Sequence, residues 1–340
     1  MSVQDWYTAD QAALGIPKKG SSFRRSDLKY QAADMLESDV YVEGRLFEPI
    51  GIATPTGQSD SYLPKYRTTQ YVAGRWQEIL LLQTARQLYP AMGKCTTTGG
   101  DPYLHEIRIR TTQPPVNMGR HWERRNPSGT PPAEYETIDM VGLSNNSYHA
   151  ECSESFPGAV QTLDWNVNNT INTGATTDDL TLTEHSDEPF KWHMFTFPTF
   201  TYNSETIEAD IVGWAFDIQN TVRVTGLDSG KRFEKAKYIP LTLISTTLQI
   251  KPYGRNAFEL IRAVLEDYAT DLDLTVKITR SANDYLWFTH DKLYAPPLTL
   301  SAFKRSGSVE TYFLTMNQLN NGSLEVDGKD NKPIAYYEVS

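Results

Sequence analysis

The sequence predicts a mainly β protein with one amphipathic helix set into each half. Three observations carry this. Apolar and polar residues alternate with period two along several runs, the mark of half-buried strands. The chain of 340 residues holds 19 Tyr, 13 Phe and 7 Trp together with many Thr, residue types that suit a pleated surface. The same order, strands then a helix then strands, occurs twice. The first set is residues 40–47, a helix near 76–92 and a strand at 103–110. The second is 207–218 with 241–250, a helix near 256–268, and 272–280 with 285–290. The division that follows is an N-terminal arm at 1–37, a first unit at 38–185, a second at 186–322 and a C-terminal tail at 323–340.

Residues 1–37 read as an exposed arm in which Lys18, Lys19, Arg24 and Arg25 bracket Gly20, Ser21 and Ser22. In the strand at 40–47, Val40, Val42 and Leu46 share one side, and Gly44 suggests a bulge. Pro55, Gly57 and Pro64 make 51–66 a long loop, of the kind that contacts a partner. From Trp76 onward, Ile79, Leu80, Leu82, Ala85 and Tyr89 build a helical stripe that Pro90 and Gly93 end. The proline-rich stretch 113–133 reads as a structured excursion between strands; its basic cluster, Arg120, His121, Arg124 and Arg125 with Trp122, reads as solvated, its charge diluted by Glu123 and Glu134, rather than as a contact for a phosphate or an acidic neighbour. Residues 168–179 read as a polar loop. The strand beginning at 207 is apolar on both sides from Ile211 onward, which implies cover on both faces. Asn256 with Glu259 resembles a capping box, and Phe258, Ile261, Val264, Leu265 and Tyr268 follow as a stripe to be buried. The tail reads as loose except where it docks.

Composition narrows the function. Apolar content of 39% with 22% charged residues suffices for a packed core. A net charge of −10 is opposite in sign to that of a tight nucleic-acid binder. Cys95 and Cys152 read as free thiols, with oxidation between them left open. The first residues lack the basic start and apolar run of a signal peptide, and no apolar stretch of about 18 residues is present to span a membrane. The six histidines are scattered, Gly99-Gly100 is followed by Asp-Pro rather than Lys-Ser/Thr, and acidic pairs such as Asp178-Asp179 lack EF-hand spacing. The reading is therefore of a non-enzyme without catalytic, cofactor-binding or metal-ligating residues.

Several stretches together resemble the tail tube proteins of tailed viruses, bacterial and archaeal. They are the glycine-bearing strand 40–46, the run 189–196 (PFKWHMFT), the strand end 217–220 (DIQN), the run 240–248 (PLTLISTTL) leading to a helix, 274–278 (LTVKI) and the Asn283-Asp-Tyr hairpin. The resemblance implies a β-sandwich or β-barrel with flanking helices that forms rings. The rings stack into a tube in the virion tail, built in the host cytoplasm, beside other tail proteins. Viral DNA passes through the lumen without specific binding. If the two units are duplicated tube folds, a ring is a trimer with pseudo-sixfold symmetry; otherwise it is a hexamer. Candidate inter-subunit contacts are Ile52, Tyr62, Leu63 and Tyr66 in the long loop and Lys18, Lys19, Arg24 and Arg25 in the arm. Candidate channel-wall residues are Glu43, Glu208 and Asp210. The alternative is a β-sandwich module for carbohydrate binding or adhesion on a virion or cell surface.

Overall fold

A computed structural model describes residues 6–15, 31–32, 35–46, 67–82, 84–99, 103–109, 116–125, 135–176, 188–227, 234–282, 284–297, 303–306, 309–318 and 335–339. The protein is mainly β, a large antiparallel sheet system with two α-helices among the described residues. The strands are β1 (Trp6–Gly15), β2 (Gln31–Ala32), β3 (Met35–Leu46), β4 (Arg67–Ile79), β5 (Gly93–Gly99), β6 (Tyr103–Ile109), β7 (Val116–Arg125), β8 (Tyr135–Ser153) and β9 (Val160–Thr176). They continue as β10 (Phe195–Tyr202), β11 (Glu205–Thr206), β12 (Ala209–Leu227), β13 (Glu234–Pro252), β14 (Ala269–Ser281), β15 (Asp284–Ala295), β16 (Phe303–Ser306), β17 (Val309–Gln318) and β18 (Ala335–Val339). The helices are α1 (Leu88–Met92) and α2 (Arg255–Glu266).

Two layers are joined at a corner. In one, β3, β4, β9, β8, β12, β13 and β17 pair in that order. In the other, β10, β14, β15, β18, β6 and β5 pair in that order. β17 makes the corner, since its last residues also pair with Leu293 and Tyr294 of β15. The β8–β12 ladder carries the sheet across the expected boundary at 185/186.

The core lies between the layers. Along β12, Trp214, Phe216 and Ile218 point inward and are buried, as period two requires. Phe216 meets Phe288 of β15 at 4.7 Å between ring centroids, and Trp214 meets Phe288 at 5.1 Å and Phe195 of β10 at 5.4 Å. Such offset and tilted pairs add to the area they bury. At the end of β4 the chain packs Leu80, Leu82, Ala85, Leu88, Ala91 and Met92 into this core. Asn220, which ends the 217–220 motif, donates from Nδ2 to Ala91 O (3.0 Å) and Asn145 Oδ1 (3.1 Å) and accepts from Thr242 Oγ1 (2.8 Å). One buried amide thus ties α1 to three strands, its hydrogen bonds supplied by neighbours rather than water.

Several expectations are corrected. The helix near 76–92 is strand through Ile79, then a 3-10 turn at Thr84–Gln87, with α-helix only at Leu88–Met92. β4 pairs with β9, and buried Glu78 accepts from the Gln161 amide across that ladder. This long-range pairing outweighs a local 3.6-residue apolar spacing. Within the expected arm, residues 6–15 form a strand against β7, so their backbone groups are satisfied inside the sheet system. The stretch 113–133 contains β7, placed between β1 and β8. The expected polar loop at 168–179 is strand through Thr176, paired with β8. The capping box does not form, because the helix begins two residues early with Gly254 at its N-cap. Asn256 instead donates to Thr206 O, and Glu259 pairs with Arg255. The buried stripe of α2 is Ala257, Leu260, Ile261 and Val264, whereas Phe258, Leu265 and Tyr268 stand 51, 41 and 49% exposed. Around Gly44 the ladder is regular; the irregularity falls between Arg45 and Leu46. β18 shows where the tail docks, between β15 and β6.

Candidate functional site

Two surfaces stand out. The first is the outward face of β8, β12, β13 and β17. The register aligns His149, Asp217, Ser245 and Asn317 in one row and Glu151, Ala215, Thr247 and Thr315 in the next. Ser153, Gly213, Gln249 and Phe313 form a third. None of these side chains is Lys or Arg. Half are Ser, Thr, Ala or Gly, Phe313 is the one aromatic carbocycle, and hydroxyls bond sideways, as between Thr247 and Thr315 at 3.0 Å. The cations at the margins are paired: Lys251 with Glu154 at 3.8 Å, and Arg75 with Asp164 at 4.0 Å. Cover on both faces of β12 was expected; among the described residues its second side forms this open polar surface.

The charge on the face centres on His149. Its Nδ1 lies 2.6 Å from Asp217 Oδ1 and its Nε2 3.5 Å from Glu151 Oε2. The hydrogen bond to Asp217 chiefly raises the imidazole pKa above its usual value; partial burial opposes this, and the two carboxylate charges add to the rise. Ser147 donates to Asp164 Oδ2 beside the group, completing a neutral-to-acidic surface.

The second surface is a cleft of about 580 Å³ between β10 and the start of β12. Trp192, Phe195 and Phe197 line it, Trp192 stacking on Phe195 at 5.3 Å and tilting toward Phe197 at 6.1 Å. Thr199, Thr201 and Asp210 supply the polar lining. A two-residue turn closes one end: Asn203 and Ser204 both take left-handed backbone (φ 49° and 66°), as a type I′ hairpin needs. This stretch is the 189–196 motif and its continuation. Phe190 roots it in the core, and Trp192 N donates to Pro157 O at 2.8 Å.

The sequence-predicted residues fall as follows. Ile52, Tyr62, Leu63, Tyr66, Lys18, Lys19, Arg24 and Arg25 lie outside the described residues. Glu43 sits in β3 opposite Tyr71 of β4. Glu208 is exposed and packs against Gly254 at the N-terminus of α2, where a carboxylate complements the helix dipole. Asp210 pairs in register with Lys251, which puts it at the margin of the polar face as well as in the cleft wall. Sequence reading missed His149, Glu151 and Asp217, which meet only through the β8–β12 register, and Trp192, read only as part of an aromatic run. Cys95 and Cys152 are free thiols. Burial pushes the Cys152 thiol up to about 12. Among the described residues no three His, Cys, Asp or Glu gather in a metal-holding group, and no helix is long and apolar enough to cross a membrane. No protein-family model matches the chain, and no curated protein matches it either.

Proposed function

We propose that this chain is a structural subunit that assembles with copies of itself into stacked rings, forming a viral tail tube through which DNA passes. The observation that carries the reading is the polar face of β8, β12, β13 and β17. Its three rows are rich in hydroxyl and amide groups and hold no lysine or arginine, with exposed Leu243 beside Gln219 at one end and Arg223 in register with Lys237 only farther along β12 and β13. Phosphate binding depends on cations, so such a face gives a passing polyanion nothing to adhere to. The inner face of the same strands holds the core, so the open side suits a channel wall. Exposed Phe258, Leu265 and Tyr268 on α2 and the open strand edges at the cleft offer contact surface for neighbouring subunits and other tail proteins.

Negative-stain electron microscopy of the purified protein at rising concentration tests the reading. Hollow tubes or stacked rings are expected, with top views separating a trimer of pseudo-sixfold symmetry from a hexamer. Small monodisperse particles at every concentration and salt would overturn it and turn attention to the carbohydrate-binding alternative.

A further inference from the structure

We infer that the cleft between β10 and β12 is a docking site for residues 17–25 of a second copy of this chain, Pro-Lys-Lys-Gly-Ser-Ser-Phe-Arg-Arg. The inference rests on the self-assembly reading and names the contact through which one copy holds another.

Two strand edges border the cleft. β10 pairs with β14 on one side. On the other, only Thr201 and Tyr202 have strand partners, in β11, and Phe200 O accepts from Ile207 N at 2.9 Å. β12 pairs with β8 from Gly213 onward, and Glu154 N donates to Val212 O at 2.9 Å where that ladder ends. Among the described residues, 195–199 and 209–211 therefore have no strand on their cleft sides, although Pro198, at an irregularity of β10, has no N–H to donate. Backbone groups left open in this way pair with an added extended segment, while pockets between them sort its side chains. The Trp192, Phe195 and Phe197 rings provide an aromatic pocket, and Thr199 and Thr201 provide hydroxyls.

Charge selects the occupant. Asp210 lines the cleft, with Glu205 and Glu208 exposed beside it. Asp273 lies opposite Thr201, and Asn203 N donates to Asp271 O at the turn. Of the nearby cations, Arg255 faces Glu259 and Arg262 faces Glu266, Lys277 lies over the Tyr285 and Trp287 rings, and Lys251, in register with Asp210, also reaches Glu154 at 3.8 Å; His193 shares the lining. A cationic segment is favoured. Of the sequence outside the described residues, only 17–25 brings four cations and no carboxylate, with one aromatic residue, Phe23, among small polar ones.

Reach requires that the segment come from another copy. Gly15 pairs with Asn117, which lies beside Met140 and Leu143 of β8, whereas the cleft opens past the far end of β8 at Ser153. That is roughly 40 Å along the strand direction at the usual rise per residue. Eight residues from Gly15 to Phe23 span at most about 28 Å fully extended. The chain must also return to Gln31, which pairs with Leu14.

The test titrates the full chain, at a concentration where sedimentation shows it monomeric, into a fluorescent peptide of residues 16–26. Saturable binding is expected, weakened about tenfold or more by Asp210→Lys, by Phe23→Ala in the peptide, and by raised salt. In the full chain, Lys18→Glu with Arg24→Glu should weaken self-association, and Asp210→Lys in that background should restore part of it. Asp210 is exposed and the peptide changes leave the fold untouched, so loss of folding does not blur the result. Absence of saturable binding overturns the inference, as does binding indifferent to Asp210→Lys, or occupation of the cleft by a neutral oligosaccharide but not by the peptide. Peptide binding by a chain that never assembles would keep the docking site and remove the tube reading. Normal tubes from the Lys18/Arg24 variant would do the reverse.

Discussion

His149 and Asp217 are 68 residues apart in sequence, yet the Nδ1–H of one donates to Oδ1 of the other at 2.6 Å on the open face of the sheet. The pair is half-exposed, with Glu151 on the second ring nitrogen. The other groups facing it are uncharged in its own row, Thr162, Ser245 and Asn317, with the Ser147–Asp164–Arg75 chain to one side. The folded state raises the imidazole pKa above 6.5, so it binds this proton more tightly than the unfolded chain does. The stabilisation is complete below the unfolded value and is lost as pH rises through the raised folded value. Thermal melts of wild type and His149→Gln should differ most below pH 6.5 and converge as pH rises past the folded pKa. Parallel curves across that window would remove the ion-pair assignment.

Gly254 makes a second, steric prediction. A Cβ placed there would lie 1.8 Å from Glu208 Oε2 and 2.2 Å from Glu208 Cβ, far inside contact distance. Its φ of −106° suits any residue, so close approach rather than backbone conformation demands glycine. Tyr253 N and Gly254 N both donate to Glu208 O, at 3.1 and 3.0 Å, so the segment has little freedom to move away. Gly254→Ala should cost about 1–3 kcal/mol in urea unfolding. Glu208→Gly in the same chain should recover much of that loss, a coupling a double-mutant cycle would read. Additive costs would show that the contact is not the cause.

The aromatic centre of the core gives a third. Phe216 touches Phe288, Trp214 and Tyr148, the last at 6.2 Å, so its ring bridges the two layers. Phe216→Ala should cost about 3–5 kcal/mol with the polar face unaltered on the other side of the strand. A loss below about 1 kcal/mol, within the range of surface substitutions, would mean the layers do not meet there.

How much of this was legible in the sequence depends on the range of the interactions. β12, β13, β14 and β15 were readable because their alternation is local, and α2 was readable as a helix from its local spacing, although the stripe read for burial mixed its faces and included exposed Phe258, Leu265 and Tyr268. The helix expected from Trp76 onward failed because the same apolar letters serve a strand once β9 lies alongside, and nothing near Glu78 in sequence announces Gln161. The loop expected at 168–179 failed similarly, since asparagine signals describe local preference while the β8–β9 ladder supplies distant partners, and the excursion at 113–133 gave no sign that β7 would pair on both sides. The polar face is the clearest loss. Its residues read as ordinary outward positions on four separate strands, and only the register gathers them into three rows without lysine or arginine. The 189–196 and 217–220 motifs were visible as patterns, but their roles as cleft wall and as the Asn220 tie to Ala91 needed the fold.

The two faces of α2 separate stability from assembly. Leu260 is fully buried, while Phe258 and Leu265, seven residues apart and so nearly aligned on the helix, look outward with Tyr268 beyond them. The charges flanking them are already paired at i,i+4, Arg255 with Glu259 and Arg262 with Glu266, both at 2.7 Å. A partner covering the stripe therefore does not strip a lone charge of its counter-ion. Leu260→Ala should cost about 2–5 kcal/mol through the cavity it leaves. Phe258→Ser with Leu265→Ser should change monomer stability by no more than about 0.5 kcal/mol per site, the usual range for surface positions. It should nevertheless shift sedimentation-velocity profiles toward smaller species at a given concentration. Unchanged association by the double serine variant, with Leu260→Ala destabilised as expected, would leave the stripe without a role in subunit contact and place the whole of that contact elsewhere on the chain.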